Sequence, residues 1–172
     1  MKRTLIMIIV MLMLFAACKG QDIKIFKGRI DYKFHLSSTD EVDGKQKIEL
    51  EKEIEEYYKK RDLLSNYFSE LNLGKTKEAE DLLKKDKSLS KVDNFTLSYR
   101  FMLLKMKELG ILYKPLIQID DETAQGIVIS CTREQLEQLL ANESEVELTA
   151  EYVGELLVDN VKAYRLISFQ IK

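Results

Sequence analysis

Residues 26–36 alternate apolar and polar without a fault. Phe26, Gly28, Ile30, Tyr32, Phe34 and Leu36 share one side, and Lys27, Arg29, Asp31, Lys33 and His35 share the other. A period of two with one apolar face predicts a half-buried antiparallel strand, with His35 on its solvated side. Ser37-Ser38-Thr39-Asp40 and Asp43-Gly44 then break the pattern as a loop. From 46 to 72 the period lengthens. Leu50, Ile54, Tyr57, Leu64, Phe68 and Leu71 recur at steps of four and three, with Arg61 in the one missed position. That spacing predicts one long helix with a heptad seam, closed by Gly74 just past its end. Residues 76–83 predict a second, short helix with Ala79, Leu82 and Leu83 inward.

Asp93 is placed to cap a third helix over 93–109, with Phe95, Tyr99, Met102, Leu103, Met106 and Leu109 as its inner face. Phe95, Leu97, Tyr99, Phe101 and Leu103 also alternate, so a strand over 95–103 competes; the Lys105-to-Gly110 ending favours the helix. Beyond 110 the chain turns β-rich. Residues 111–119 predict a strand that Pro115 confines to an edge or a bulge. Residues 120–126 read as a turn and 127–131 as a short buried strand. Thr132 and Gln135 have capping-box spacing and open a helix carrying Leu136, Leu139 and Leu140 that ends near 142. Residues 146–158 and 161–171 predict a hairpin about Asp159-Asn160. Val146, Leu148, Ala150, Tyr152, Leu156 and Val158 lie on one face of its first strand and Glu147, Thr149, Glu151 and Glu155 on the other. Runs of helices followed by runs of strands predict an α+β fold: an antiparallel sheet of the N-terminal strand and the C-terminal strands, covered on one face by a helical layer.

The first eighteen residues follow a different logic. Met1-Lys2-Arg3 is positive, residues 5–15 are apolar, Ala16 and Ala17 are small, and Cys18 precedes the polar Lys19-Gly20-Gln21-Asp22. A charged start, an apolar middle and small residues at a cut site make the layout of a secretory signal peptide. The apolar run falls short of the roughly 20 residues that a membrane-spanning helix needs. Phe15-Ala16-Ala17-Cys18 resembles a bacterial lipobox. The resemblance implies a diacylglyceryl thioether on Cys18, cleavage between Ala17 and Cys18, and a further acyl chain on the new amine. Two or three acyl chains give stable anchoring. The expected organisation is a signal peptide over 1–17, a lipidated tether over 18–24, and one α+β domain over 25–172. The expected location is the cell membrane or outer membrane of a bacterium, facing outside the cytoplasm.

Composition narrows the function. The formal charge of -2 lacks the basic excess of a nucleic-acid binder. Two cysteines and one histidine exclude a four-cysteine zinc site and any multi-histidine metal centre. With Cys18 lipidated, Cys131 is the remaining thiol, set in the apolar run 127–131 and read as buried and inert. No Gly-x-Ser-x-Gly elbow and no glycine-rich phosphate loop occur. Asp120, Asp121 and Glu122 offer oxygen ligands without the spacing of a calcium loop. No catalytic residue, metal or cofactor is therefore assigned. The expectation is a non-enzymatic envelope protein that acts through protein contacts, with the helix at 46–72 or the acidic face of Glu147, Glu151 and Glu155 as the docking surface. The alternatives are a carrier of an apolar ligand, suggested by Phe26, Tyr32, Phe34 and Tyr152, and more remotely a carboxylate-pair hydrolase.

Overall fold

The computed structural model of the chain describes residues 22–31, 42–120, 124, 126–141, 144–156 and 161–172. Its first strand, β1 (Ile23–Asp31), starts earlier than expected, so the folded body begins inside the segment read as tether. The Tyr152 amide even donates to the Asp22 carbonyl at 2.9 Å. Tyr32, Phe34, His35 and Leu36 lie outside the described residues. The other strands are β2 (Leu116–Asp120), β3 (Ile127–Ser130), β4 (Val146–Leu156) and β5 (Val161–Ile171).

The mixture of helices with a five-stranded sheet agrees with expectation, but the sheet is neither open nor wholly antiparallel. Its order is β1-β2-β3-β5-β4, and β4 pairs back to β1 to close a barrel. β3 and β5 run parallel, from Ile127 opposite Lys162 to Ser130 opposite Arg165. β3 is buried on both faces, with Ile127 and Ile129 in the barrel core and Val128 in a cluster with the helices. A short run that is apolar throughout is the pattern of such a strand. The order β4-β1-β2-β3 is a Greek key, which β5 closes. A small five-stranded Greek-key barrel is the architecture of OB-type folds, and it hosts many unrelated functions.

β1 reaches two partners by bending. Residues Ile23 to Gly28 lie opposite Glu151 to Val146 of β4, and Arg29 to Asp31 lie opposite Asp120 to Gln118 of β2. Gly28 sits at the change of partner with φ of 154°, where a Cβ would stand 2.6 Å from Ile119 Cγ2. Gly154 lies at a register shift in β4, with φ of 148° and the Leu109 side chain 2.5 Å from where a Cβ would be. Register shifts in the β4–β5 ladder fall between Thr149 and Ala150 and between Tyr152 and Gly154. Such irregularities bend strands toward closure. Side chains fill the interior, among them Phe26, Ile129, Leu148, Ala150 and Tyr164. The Phe26 and Tyr164 rings meet edge to face at 5.1 Å.

Among the described residues four α-helices lie between β1 and β2: α1 (Gly44–Tyr58), α2 (Arg61–Asn72), α3 (Thr76–Leu83) and α4 (Asn94–Glu108). α5 (Arg133–Leu140) joins β3 to β4, opened by the reciprocal Thr132–Gln135 cap. The expected single helix over 46–72 is two helices. Lys60 leaves helical geometry at φ -110°, ψ 13°, and its Nζ lies 3.1 Å from the Asp86 carboxylate. A continuous seam would carry Arg61 inward. The break leaves Arg61 outside, paired with Glu108, while Leu64, Tyr67 and Phe68 are buried. The Ser88 hydroxyl and amide, with Lys60 and the Leu89 amide, hold the Asp86 carboxyl well below the usual carboxylate range.

The helices have a core of their own, built from Tyr57, Leu64, Tyr67, Phe68, Ala79, Leu83, Leu89, Leu97, Phe101 and Leu104. Residues 94–104 are helix, capped by the Asp93 side chain as expected. The expected inner face of α4 is corrected: Leu97, Phe101 and Leu104 are buried, whereas Phe95 is 83% and Tyr99 37% exposed. α4 is apolar on more than one side because Leu103 and Met106 face a different cluster. There they join Ile54, Ile111, Val128, Leu156 and Ala163 and fasten the helices to the barrel's outer wall. The strand expected over 111–119 is confined to β2, and Ile111 to Pro115 form a turn.

The bend at Gly28 makes a prediction. Gly28→Ala meets both Ile119 and an unfavourable φ, and should cost about 1–3 kcal/mol. Gly44→Ala, whose Cβ would have nothing within 4 Å, is the control and should change stability by less than about 0.5 kcal/mol. Thermal unfolding followed by circular dichroism checks both; equal melting temperatures would refute the account of the bend.

Candidate functional site

Of the residues singled out in the sequence, Ala17 and Cys18 lie outside the described residues. The expected acidic face is corrected: Glu147 and Glu151 lie on the outer wall of β4, whereas the register shift between Tyr152 and Gly154 turns Glu155 to the side of Tyr152, and cations from distant segments meet these carboxylates. Lys27 and Lys172 place their Nζ atoms 3.2 and 3.5 Å from Glu147, and Lys27 first holds that carboxyl below its ordinary range. Glu151 lies opposite Arg165 and Glu155 opposite Lys162. Opposite charges directly across a strand pair attract. The face is therefore charge-balanced, which a reading of 146–158 by itself does not reveal.

Cys131 is buried, with its thiol 3.8 Å from the Pro115 carbonyl oxygen. The buried Ser130 hydroxyl donates to the Tyr164 carbonyl at 3.1 Å. Both side chains serve the barrel. Among the described residues no group of three or more His, Cys, Asp or Glu side chains is placed to hold a metal ion. Of the acidic trio, Asp120 ends β2, while Asp121 and Glu122 lie outside the described residues. Phe26 and Tyr152, invoked for an apolar ligand, both pack on Tyr164; Tyr32 and Phe34 lie outside the described residues.

A surface concavity of about 330 Å³ runs along α1, lined by Gly44, Lys47, Ile48, Glu51, Lys52 and Glu55. These positions recur at steps of three and four, so they form one stripe of the helix. Asp43 fixes its start by accepting from the Lys45 and Gln46 amides at 2.9 and 2.8 Å. Ile54 and Tyr57 hold the other side inward, which leaves Ile48 60% exposed in the stripe.

The stripe is clamped to the turn after α4. Tyr113 has φ of 64°, in the left-handed region that a bulky side chain seldom adopts. The Lys47 ammonium lies 4.5 Å from the centre of its ring. Glu51 pairs with Lys107, whose ammonium holds its carboxyl below the ordinary range. Burial, and then the charge of Glu51, push the Tyr113 hydroxyl up to about 12. A backbone outlier held by several partners often marks a functional surface. Tyr113 was hidden in the sequence inside a run read as strand; the gap between Gly110 and Pro115 was the available clue. Chemically the stripe offers an exposed isoleucine among charges of both signs. That suits an amphipathic peptide or helix and provides no nucleophile with an adjacent base.

No family model, curated protein or solved structure matches the chain.

The Tyr113 shift predicts a pH dependence. The folded value lies above the ordinary 10.0, so the stability it contributes is complete below pH 10 and is lost as pH rises toward about 12. Tyr113→Phe should therefore lose less stability than the parent between those limits. Urea unfolding at stepped alkaline pH measures it, and parallel declines would refute the assignment.

Proposed function

We propose that this chain is a membrane-anchored bacterial lipoprotein of the cell envelope that is cut between Ala17 and Cys18 and lipidated on Cys18. It is a binding or accessory protein that acts through protein contacts and not an enzyme. It faces outside the cytoplasm. One observation carries the reading: the lipobox-like Phe15-Ala16-Ala17-Cys18 stands five residues before Ile23, where β1 takes up its register with β4. An anchor followed at once by a folded body is the organisation of a protein held against a membrane. In this reading the helical segment forms a layer on the barrel's outer wall that presents the α1 stripe to its partner. Ile48 is the apolar centre of that stripe. The acidic set Glu147, Glu151 and Glu155 is the weaker candidate, because its charge is balanced from within.

The test compares the full-length protein with Cys18→Ala in a bacterial host. The parent should fractionate with membranes, and its intact mass should begin at Cys18 and include the diacylglyceryl group. Cys18→Ala should lose the lipid and leave the membrane fraction. Equal membrane recovery of the two, or an unmodified mass, refutes the anchor. In crosslinked membranes, Ile48→Glu should lower the yield of any captured partner several-fold, as for loss of a buried apolar anchor worth about 1–3 kcal/mol; an unchanged yield removes the α1 stripe from the proposal.

A further inference from the structure

We infer that the outer wall formed by β1, β4 and β5 is a membrane-contact face, seated on the lipid surface that holds Cys18. The inference rests on the anchor proposed above and adds which side of the barrel faces the lipid.

Three observations converge on this wall. The first is an apolar group that the fold leaves outside. Ile23, Ile25 and Ile167 are 50%, 54% and 47% exposed. Ile25 lies opposite Thr149 on β4, and Thr149 lies opposite Ser168, next to Ile167 on β5. Phe26 and Leu166, their neighbours along the chain, point into the core. Ile25 and Ile167 therefore stand on one wall with β4 between them, and Ile23 is two residues along β1.

The second observation is charge. Lys27 and Lys172 meet Glu147, and Arg165 stands opposite Glu151, so the carboxylates of this wall are balanced. A wall whose carboxylates are balanced does not repel an anionic leaflet from its exposed isoleucines. The wall at Val128 and Ala163 is already covered by Leu103 and Met106 of α4.

The third is reach. From Cys18 to Ile23 is five residue steps, which fully extended span about 18 Å. An acylated Cys18 lies at the lipid interface, so β1 must begin within that distance of it. A short tether makes the second contact intramolecular, and a modest apolar group then suffices to set orientation.

The chain contains no tryptophan, so a single introduced indole reports without background. Full-length acylated Ile25→Trp and Phe95→Trp, the latter on the helical segment, would be reconstituted into phosphatidylethanolamine–phosphatidylglycerol vesicles with or without bromine on the acyl chains. Intact mass first confirms the acyl groups on both proteins. The Ile25→Trp protein should shift its emission to the blue and lose most of it in brominated vesicles, while Phe95→Trp emission stays unchanged. Acylated Ile25→Trp with unchanged emission overturns the contact face and leaves the anchor standing. Quenching of both variants alike also overturns it, because the barrel would then have no preferred side. A preparation without acyl groups defeats the anchor and, with it, the inference.

Discussion

β1 has to serve two strands at once, and the rest of the molecule follows from how it does so. Its first six residues pair with β4 and its last three with β2, and the change falls at Gly28, against Ile119. Any side chain there would force β1 away from β2. Closure removes the unpaired edges that an open sheet of this size would expose. It also places Asp31 opposite Gln118, so the segment between β1 and β2 leaves and returns at neighbouring strand residues. The entropic cost of such an insertion grows only slowly with its length. A long helical segment can therefore hang from the barrel without disturbing it.

That segment has its own core, and α4 is where the two bodies meet. Leu97, Phe101 and Leu104 belong to the helical core, and Leu103 and Met106 to the cluster on the barrel wall. A helix that buries two faces has no single polar side. This explains why 94–104 fits both a helical and an alternating pattern. It also explains why the stripe of Phe95 and Tyr99 remained outside: burial was already assigned to two other directions.

Much of the local structure was legible because local chemistry decides it. Asp93 and the Thr132–Gln135 pair cap helices where their spacing says they should, alternation located β4 and, starting three residues late, β1, and the hairpin reading placed β5. Pairing was not legible. Nothing in Ile127-Val128-Ile129-Ser130 states that it will run parallel to β5, although its unbroken apolar character was the sign of two buried faces. The heptad seam misled for a related reason. Its spacing was correct on each side of Lys59-Lys60, but one cationic position inside the seam was enough to favour a break, with Asp86 placed to accept Lys60. At the candidate site, the exposed stripe of α1 was within the helix named beforehand. Tyr113 was not, because a left-handed tyrosine leaves no trace in a hydropathy pattern.

Charge was the least local property of all. Within 146–156 the ionisable side chains are acidic, and the cations that balance them come from β1, β5 and the C-terminal residue. Exposed pairs of this kind contribute about 0–1 kcal/mol each and weaken with salt. They leave little net field with which to select a partner. What distinguishes one wall of the barrel from another is then its apolar content, with Ile23, Ile25 and Ile167 exposed and Val128 and Ala163 packed beneath the helices. The same holds on α1, where Lys47, Glu51, Lys52 and Glu55 nearly cancel around Ile48. Recognition by either surface must rest on shape and on a few isoleucines, with the charges fixing orientation once contact is made.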